Sequence, residues 1–350
     1  MIDFSQMTFK GLAVHKIGNK VRQEGLLIAD ELYQLADENL RNVLLDYFLK
    51  PFKREEFYHF THDTDLGLNK LYTYCKAIFE NRSELQPQSI SMAKHLYNQS
   101  THPKILGGEF YVTYFADCAL DDEVVDAIGI FKSENKDLYL KPEESGKTKL
   151  ILNYEQGINI KKLDKGCLIF NTFADEGYRV MIVDRFNKGN EEARYWKDDF
   201  LCLARVHDHA FNTETYLHLC KAYCDDVYAD EASRKDQVLF LNKSLNYFTE
   251  HESFDLDEFA EEVLVEPEQV NEFRTYKQEF ENDNGYVSNN DFKISQPTVK
   301  GMKRQFKNLI KLDTNIDIKL NSEGTAQYIE RGYDEQRNMY FYKVFFTDEE

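Results

Sequence analysis

The order of apolar and polar positions gives the first picture of the fold. Residues 8–20, TFKGLAVHKIGNK, carry apolar Phe9, Leu12, Val14 and Ile17 ahead of a Gly-Asn turn, which predicts a strand joining a sheet completed later in the chain. Over residues 30–48 the apolar positions Leu32, Leu35, Leu40, Val43, Leu44 and Tyr47 recur at three- and four-residue spacing. Over residues 66–79 Leu68, Leu71, Tyr72, Cys75, Ile78 and Phe79 do the same. Both patterns predict amphipathic helices, and a third is predicted over residues 87–99, with Pro103 beyond it barring extension. The pattern then shortens to β-branched and aromatic runs at 107–118, 124–133, 149–154, 166–173 and 178–185, with a hairpin turn at Asp175-Glu176-Gly177 between the last two. These runs predict an α+β fold, a mainly antiparallel sheet flanked by helices.

After Trp196 the spacing is helical again, over 213–227, 234–249, 255–263 and 267–281, with starts marked at Ser253-Phe254-Asp255 and at Glu266-Pro267. Beyond Gly285 a small α+β unit is predicted: a helix over 297–311, then strands over 315–320, 327–331 and 339–346. The expected organisation is an N-terminal α+β domain over 1–228, a helical segment over 229–285 and a C-terminal α+β unit over 286–350.

Composition makes packed cores certain to be available, because 42% of the 350 residues are hydrophobic and 14% aromatic. No apolar run approaches the roughly 20 residues that span a bilayer, and the start MIDFSQMTFKGLAVHK has no signal-peptide pattern, so a cytoplasmic protein is expected. Six scattered cysteines (Cys75, Cys118, Cys167, Cys202, Cys220, Cys224) predict reduced thiols without a disulfide framework.

Charge changes the picture most. With 43 Lys and Arg against 62 Asp and Glu, the net charge of −19 should repel nucleic acid over most of the surface. The exception is residues 293–320, where Lys293, Lys300, Lys303, Arg304, Lys307, Lys311 and Lys319 face only Asp313 and Asp317. That segment is +5, which leaves −24 for the rest. On a helix, Lys300, Lys303, Arg304, Lys307 and Lys311 would share one face and Val299, Met302, Phe306, Leu309 and Ile310 the other, so these five cations are the candidate DNA contacts.

Other groupings are weaker. Asp126 ahead of Glu134-Asn135-Lys136 follows the pattern by which nucleases hold a divalent metal, though solvated turns meet it easily. His207, His209, His218, Cys220 and Cys224 are zinc-type ligands, but half-buried cysteines one helical turn apart are more often packing residues. His59 and His62 beside Asp63 and Asp65 read first as helix capping, and Gly107-Gly108 as a tight turn. No phosphate-binding glycine loop, nucleophile elbow or kinase set is present, so no catalytic residue, metal ligand or cofactor is assigned.

Several segments in order, LAVHKIGNK, HFTHDTDLGLNKLYTY, AKHLYNQSTHPKILGGEFYVTYF, VDAIGIFKSENKD, INIKKLDKGCLIFN and NKGNEEARYWKDDFL, resemble the bacterial nucleoid-associated family called NdpA, in its Bacteroidetes-type form. The likeness is close over roughly residues 8–205 and continues more loosely at FKISQPTVKGMKRQFKNLIKL. The resemblance implies a cytoplasmic protein of the nucleoid, DNA association and contact with type II topoisomerases, and it carries over no catalytic motif. The leading expectation is a non-enzymatic nucleoid-associated DNA-binding protein that uses the basic segment. A second is an acidic interaction protein docking on topoisomerases or other DNA machinery. A third, lower, is a metal-dependent nuclease at Asp126, Glu134 and Lys136. A homodimer is the default assembly.

Overall fold

The computed structural model describes residues 2–53, 56–121, 123–145, 149–185, 195–228, 233–264, 266–306, 309–320 and 328–348. The chain forms two compact units, Met1–Val206 and His207–Glu350.

The first unit is built on an antiparallel sheet. Its strands are β1 (Ile2–Asp3), β2 (Thr8–Ile17), β3 (Leu26–Leu27), β4 (Tyr58–Phe60), β5 (Gly108–Leu120), β6 (Glu123–Ser133), β9 (Lys165–Phe170), β10 (Arg179–Asp184) and β11 (Leu203–Arg205). They run in the order β11-β4-β10-β9-β6-β5-β2-β3, with β1 on β5. Side chains alternate between two cores, as the pleat requires. Phe110, Val112, Ile128, Ile130, Cys167 and Ile169 enter one core, while Tyr111, Phe115, Ala127, Phe131, Leu168 and Phe170 enter the other. Helices α2 (Lys70–Glu80) and α3 (Leu85–Gln99), with the π-helical turn Tyr195–Leu201, supply the first core, and α1 (Glu38–Leu49) supplies the second. Phe48 of α1 stacks on Phe131 with ring centroids 4.2 Å apart. The α+β, mainly antiparallel architecture is the one the sequence predicts.

Several boundaries differ from expectation. The helix predicted from residue 30 begins at Glu38, because Asp37 caps it by accepting from the amides of Asn39 and Leu40. Before it the chain is irregular, with the Tyr33 amide donating to Leu12 O of β2 and the Ala36 amide to Gln34 O. The strand predicted over 149–154 is β8 (Leu150–Ile158), and it pairs outside the main sheet with β7 (Lys136–Glu144), which the sequence reading missed. Gly108 is needed for close approach and not for a positive-φ turn: a Cβ there would lie 1.9 Å from Ser133 O. The hairpin turn at Asp175-Glu176-Gly177 is as predicted, with Gly177 at φ +96°.

The second unit holds α4 (His209–Tyr223), α5 (Arg234–Glu250), α6 (Pro267–Asn284) and α7 (Gln296–Met302) around an aromatic core. Helix α4 opens this unit, ahead of the expected division at 228, because its Tyr216, Leu217, Cys220 and Tyr223 pack with Phe240, Phe248, Phe273 and Phe292. Strands β12 (Ser253–Asp255) and β13 (Asp291–Lys293) pair with Phe254 opposite Phe292. Two hairpins follow, β14 (Leu309–Lys311) with β15 (Asp317–Lys319), and β16 (Ile329–Asp334) with β17 (Met339–Val344). Among the described residues no helix is long and apolar enough to cross a membrane.

A buried ion pair within α6 yields a pH prediction. Lys277 Nζ lies 2.7 Å from Glu281 Oε1, which also accepts from the Ser288 amide at 2.8 Å and its hydroxyl at 2.5 Å. Burial alone would raise the Glu281 pKa, but Lys277 and Ser288 outweigh it and hold the carboxyl below its ordinary range. A depressed folded pKa stabilises above the unfolded value of about 4.3 and is lost as pH falls through the folded one. Glu281→Gln should therefore flatten the acid limb of the urea-midpoint profile below about pH 4.5, read by far-UV circular dichroism; an unchanged limb would remove Glu281 from the acid response.

Candidate nucleic-acid interface

The predicted basic helix over 297–311 is corrected by the structure. Ser295 caps α7 and Val299 and Met302 bury its inner face, but the α-helix stops at Met302 and a 3₁₀ turn, Lys303–Gln305, follows. Buried Phe306 then turns extended, and Leu309–Lys311 is strand β14. The physical reason lies in the apolar spacing beyond Phe306. Ile310 is opposite Ile318 and is buried with Val238, Leu320 and Ile329, a two-residue alternation that a strand pair satisfies and a helix does not. Gly301 in the short helix weakens its hold further.

The cations are thus carried on three successive elements instead of one helical stripe. Lys300 is exposed in the last turn of α7, Lys303 and Arg304 are exposed on the 3₁₀ turn, and Lys311 is exposed on β14. Lys307 lies outside the described residues. Among the described residues no ion pair engages Lys300, Lys303, Arg304 or Lys311, although Lys311 stands across the strand pair from Asp317.

The first unit gathers charge in a different way, by burying it. Lys132, at the inner end of β6, is fully buried, and its Nζ donates to Leu106 O at 2.7 Å, Glu134 Oε1 at 2.8 Å and the Tyr195 hydroxyl at 3.2 Å. Tyr195 donates in turn to Glu134 at 2.5 Å. A second buried pair, Lys165 and Asp184 at 2.8 Å, also borders Tyr195, with Lys165 Nζ 5.0 Å from its ring centroid. Asp164 closes the loop by accepting from the amides of Glu134 and Asn135. Burial lowers the Lys132 pKa against the pull of Glu134, and burial with Glu134 raises that of Tyr195 well above the phenol range. Beside this network is a pocket of about 620 Å³ whose lining includes Lys16, Arg22, Glu24, Glu134 and Lys136. Its charges are largely answered internally, Arg22 by Glu24 at 3.0 Å and Lys136 by Glu109 at 2.7 Å.

The structure does not bring the nuclease candidates together. Asp126 lies in the first half of β6 and Glu134 just past its end, eight residues or about 27 Å apart along an extended chain. Asp126 accepts from the Tyr114 hydroxyl at 2.5 Å. In the second unit Cys220 and Cys224 are packed in the aromatic core, where burial pushes both thiols up to about 12, and His207 stacks on Phe211 at 4.1 Å. Among the described residues no group of three or more His, Cys, Asp or Glu is placed to hold a metal ion. Asp65 caps the short 3₁₀ turn Leu66–Leu68 by accepting from the Gly67 amide, the capping role expected for that segment. Lys132 and Tyr195 escaped the sequence reading; the signal for Lys132 was its place on the same strand face as Ile128 and Ile130.

These features define an acidic α+β protein with an ionic network buried in one unit and, in the other, a local group of exposed cations without ion-pair partners among the described residues. Residues 13–340 match the family described as Nucleoid-associated protein YejK, and the chain belongs to that family. Membership places it at the nucleoid, in the cytoplasm. Compared with individual curated proteins, the chain matches none.

Proposed function

We propose that this nucleoid-associated protein binds DNA directly through local phosphate contacts at Lys300, Lys303, Arg304 and Lys311, with Lys307 in the same run of sequence, and that it acts by binding and not by turnover. The observation that carries the reading is the exposure of these cations without ion-pair partners among the described residues, in a chain whose remainder is −24. Contact confined to them would be indifferent to base sequence, since phosphates carry no base identity.

Each neutralised phosphate contributes about −0.9 to the slope of log affinity against log salt, so three or four contacts give a slope of about −3 to −4. Fluorescence anisotropy of a labelled duplex across a salt series reads this directly. Reversing Lys300, Lys303 and Arg304 to Glu should weaken binding at least tenfold at low salt, with the melting temperature nearly unchanged because all three side chains are solvated. Unchanged affinity in the folded triple variant would sink the contact and favour the second reading, in which the −24 remainder docks on basic DNA machinery such as a type II topoisomerase.

A further inference from the structure

The pocket of about 620 Å³ in the first unit is bounded by charges that do not all cancel. Glu134 lines it with the 7% of its side chain that remains exposed. Its Oε1 takes the hydrogen bonds of both Lys132 and Tyr195, and among the described residues no donor reaches Oε2. A carboxylate oxygen this deep is costly to leave without a donor. The balance of charge says what kind of donor fits. In the buried network Lys132 and Lys165 face the carboxylates of Glu134, Asp164 and Asp184, which leaves one negative charge in excess. The rim has the opposite imbalance. Arg22 is answered by Glu24 and Lys136 by Glu109, and exposed Lys16 is left without an ion pair among the described residues. Lys16, Glu109 and Ser133 stand abreast on β2, β5 and β6, so Lys16 is two strand spacings, roughly 10 Å, from the residue next to Glu134. The remaining lining is Ile17, Leu26, Leu27, Leu106 and glycine backbone, with Leu27 63% and Leu106 39% exposed. One wall is pinned in advance. Fully buried Asn19 donates from Nδ2 to His102 O at 2.8 Å and Ile105 O at 2.7 Å, and its Oδ1 accepts from the Arg22 amide at 3.0 Å. A preformed cavity with apolar walls and a few placed charges is the usual form of a small-molecule site.

We infer that this pocket binds a small zwitterion with an apolar side chain, an α-amino acid of the leucine type. Its ammonium donates to Glu134 Oε2 and cancels the excess negative charge of the network. Its carboxylate accepts from Lys16 Nζ, and its side chain covers the exposed apolar surface of Leu27 and Leu106. Other small ligands match the charges less well. A nucleotide brings more negative charge than the single spare cation answers, into a chain of net charge −19. A polyamine has to pass Lys16, Arg22 and Lys136 and offers nothing to Lys16. None of this involves the cations proposed to meet DNA, so the two readings stand or fall separately.

Isothermal titration calorimetry of the full chain with L-leucine, in the absence of DNA, tests it. Binding is expected with a dissociation constant of about 1 mM or below, within the affinity open to a ligand of that size. Isoamylamine lacks the carboxylate and isocaproate the ammonium, so each should bind about tenfold or more weakly, the effect of losing one charge-assisted hydrogen bond. Glycine should also bind more weakly, for want of a side chain. Lys16→Met changes an exposed position and should leave the far-UV circular dichroism as it is. It should weaken leucine by the same factor and leave isoamylamine unaffected. Equal affinity for leucine and isocaproate would remove Glu134 from recognition and overturn the inference, as would leucine binding indifferent to Lys16→Met. Absence of leucine binding up to about 10 mM would overturn it as well, and tighter binding of adenosine monophosphate than of leucine would assign the pocket to nucleotides instead.

Discussion

Replacing Glu134 with alanine should destabilise the first unit by about 3–5 kcal/mol, the range for stripping one partner from a buried ion pair. The side chains of Lys132 and Glu134 are 1% and 7% exposed, so water cannot take over the counter-charge. What remains after the substitution is a lysine ammonium held by Leu106 O and by a tyrosine hydroxyl that has lost its own acceptor. The measurement is convenient because the chain's one tryptophan, Trp196, is buried in the first unit, and its fluorescence through a urea titration reports that unit. The sign of the pH response separates charge from packing. A lysine whose folded pKa is depressed costs stability in full below the folded pKa, and the cost shrinks as pH rises from there and is gone above the unfolded value of about 10.4. The deficit of Glu134→Ala should therefore shrink at alkaline pH. Lys132→Met combined with Glu134→Leu removes both charges and should recover most of the loss. A deficit that persists unchanged in the double variant would show that Glu134 acts through packing and not as a counter-ion.

The same network shows what the sequence could and could not convey. Strands β5, β6 and β9 were legible because both faces of the sheet are covered, which turns each strand into a nearly continuous apolar run. Strands β4 and β11 are three residues each, too short for any alternation to register. Strand β7, KDLYLKPEE, was hidden by charges and Pro142, and its apolar positions face water, so burial could not be inferred from them. Glu134 drew notice as a member of a metal-binding pattern, but its partners are Lys132, two residues away, and Tyr195, sixty-one residues away. Only the sheet order β10-β9-β6, with the π-helical turn beside it, brings Tyr195 to Glu134. The basic segment was legible as composition and misread as geometry. Val299, Met302 and Phe306 fit a helix, and the alternation that ends it depends on Val238 and Ile329 from distant parts of the chain.

Phe254→Ala should cost the second unit about 3–5 kcal/mol, the usual penalty for deleting a buried aromatic ring. Phe254 is fully buried, with Tyr216 at 4.2 Å, Phe292 at 4.9 Å, Phe248 at 5.2 Å and Phe259 at 5.4 Å between ring centroids. The loss should spread in a definite direction. Phe254 faces Phe292 across the β12–β13 pair, and the chain leaving β13 is fixed by the Ile294 amide on Glu252 O and the Ser295 amide on Thr213 Oγ1. Ser295 then caps α7, the helix that presents Lys300 and leads into Lys303 and Arg304. Weakening the ring pair should loosen that cap, so amide hydrogen exchange at Val299–Met302 should accelerate more than exchange in the middle of α6. A uniform acceleration across the unit would mean that the ring supports the core as a whole and gives no special support to the segment that carries the cations.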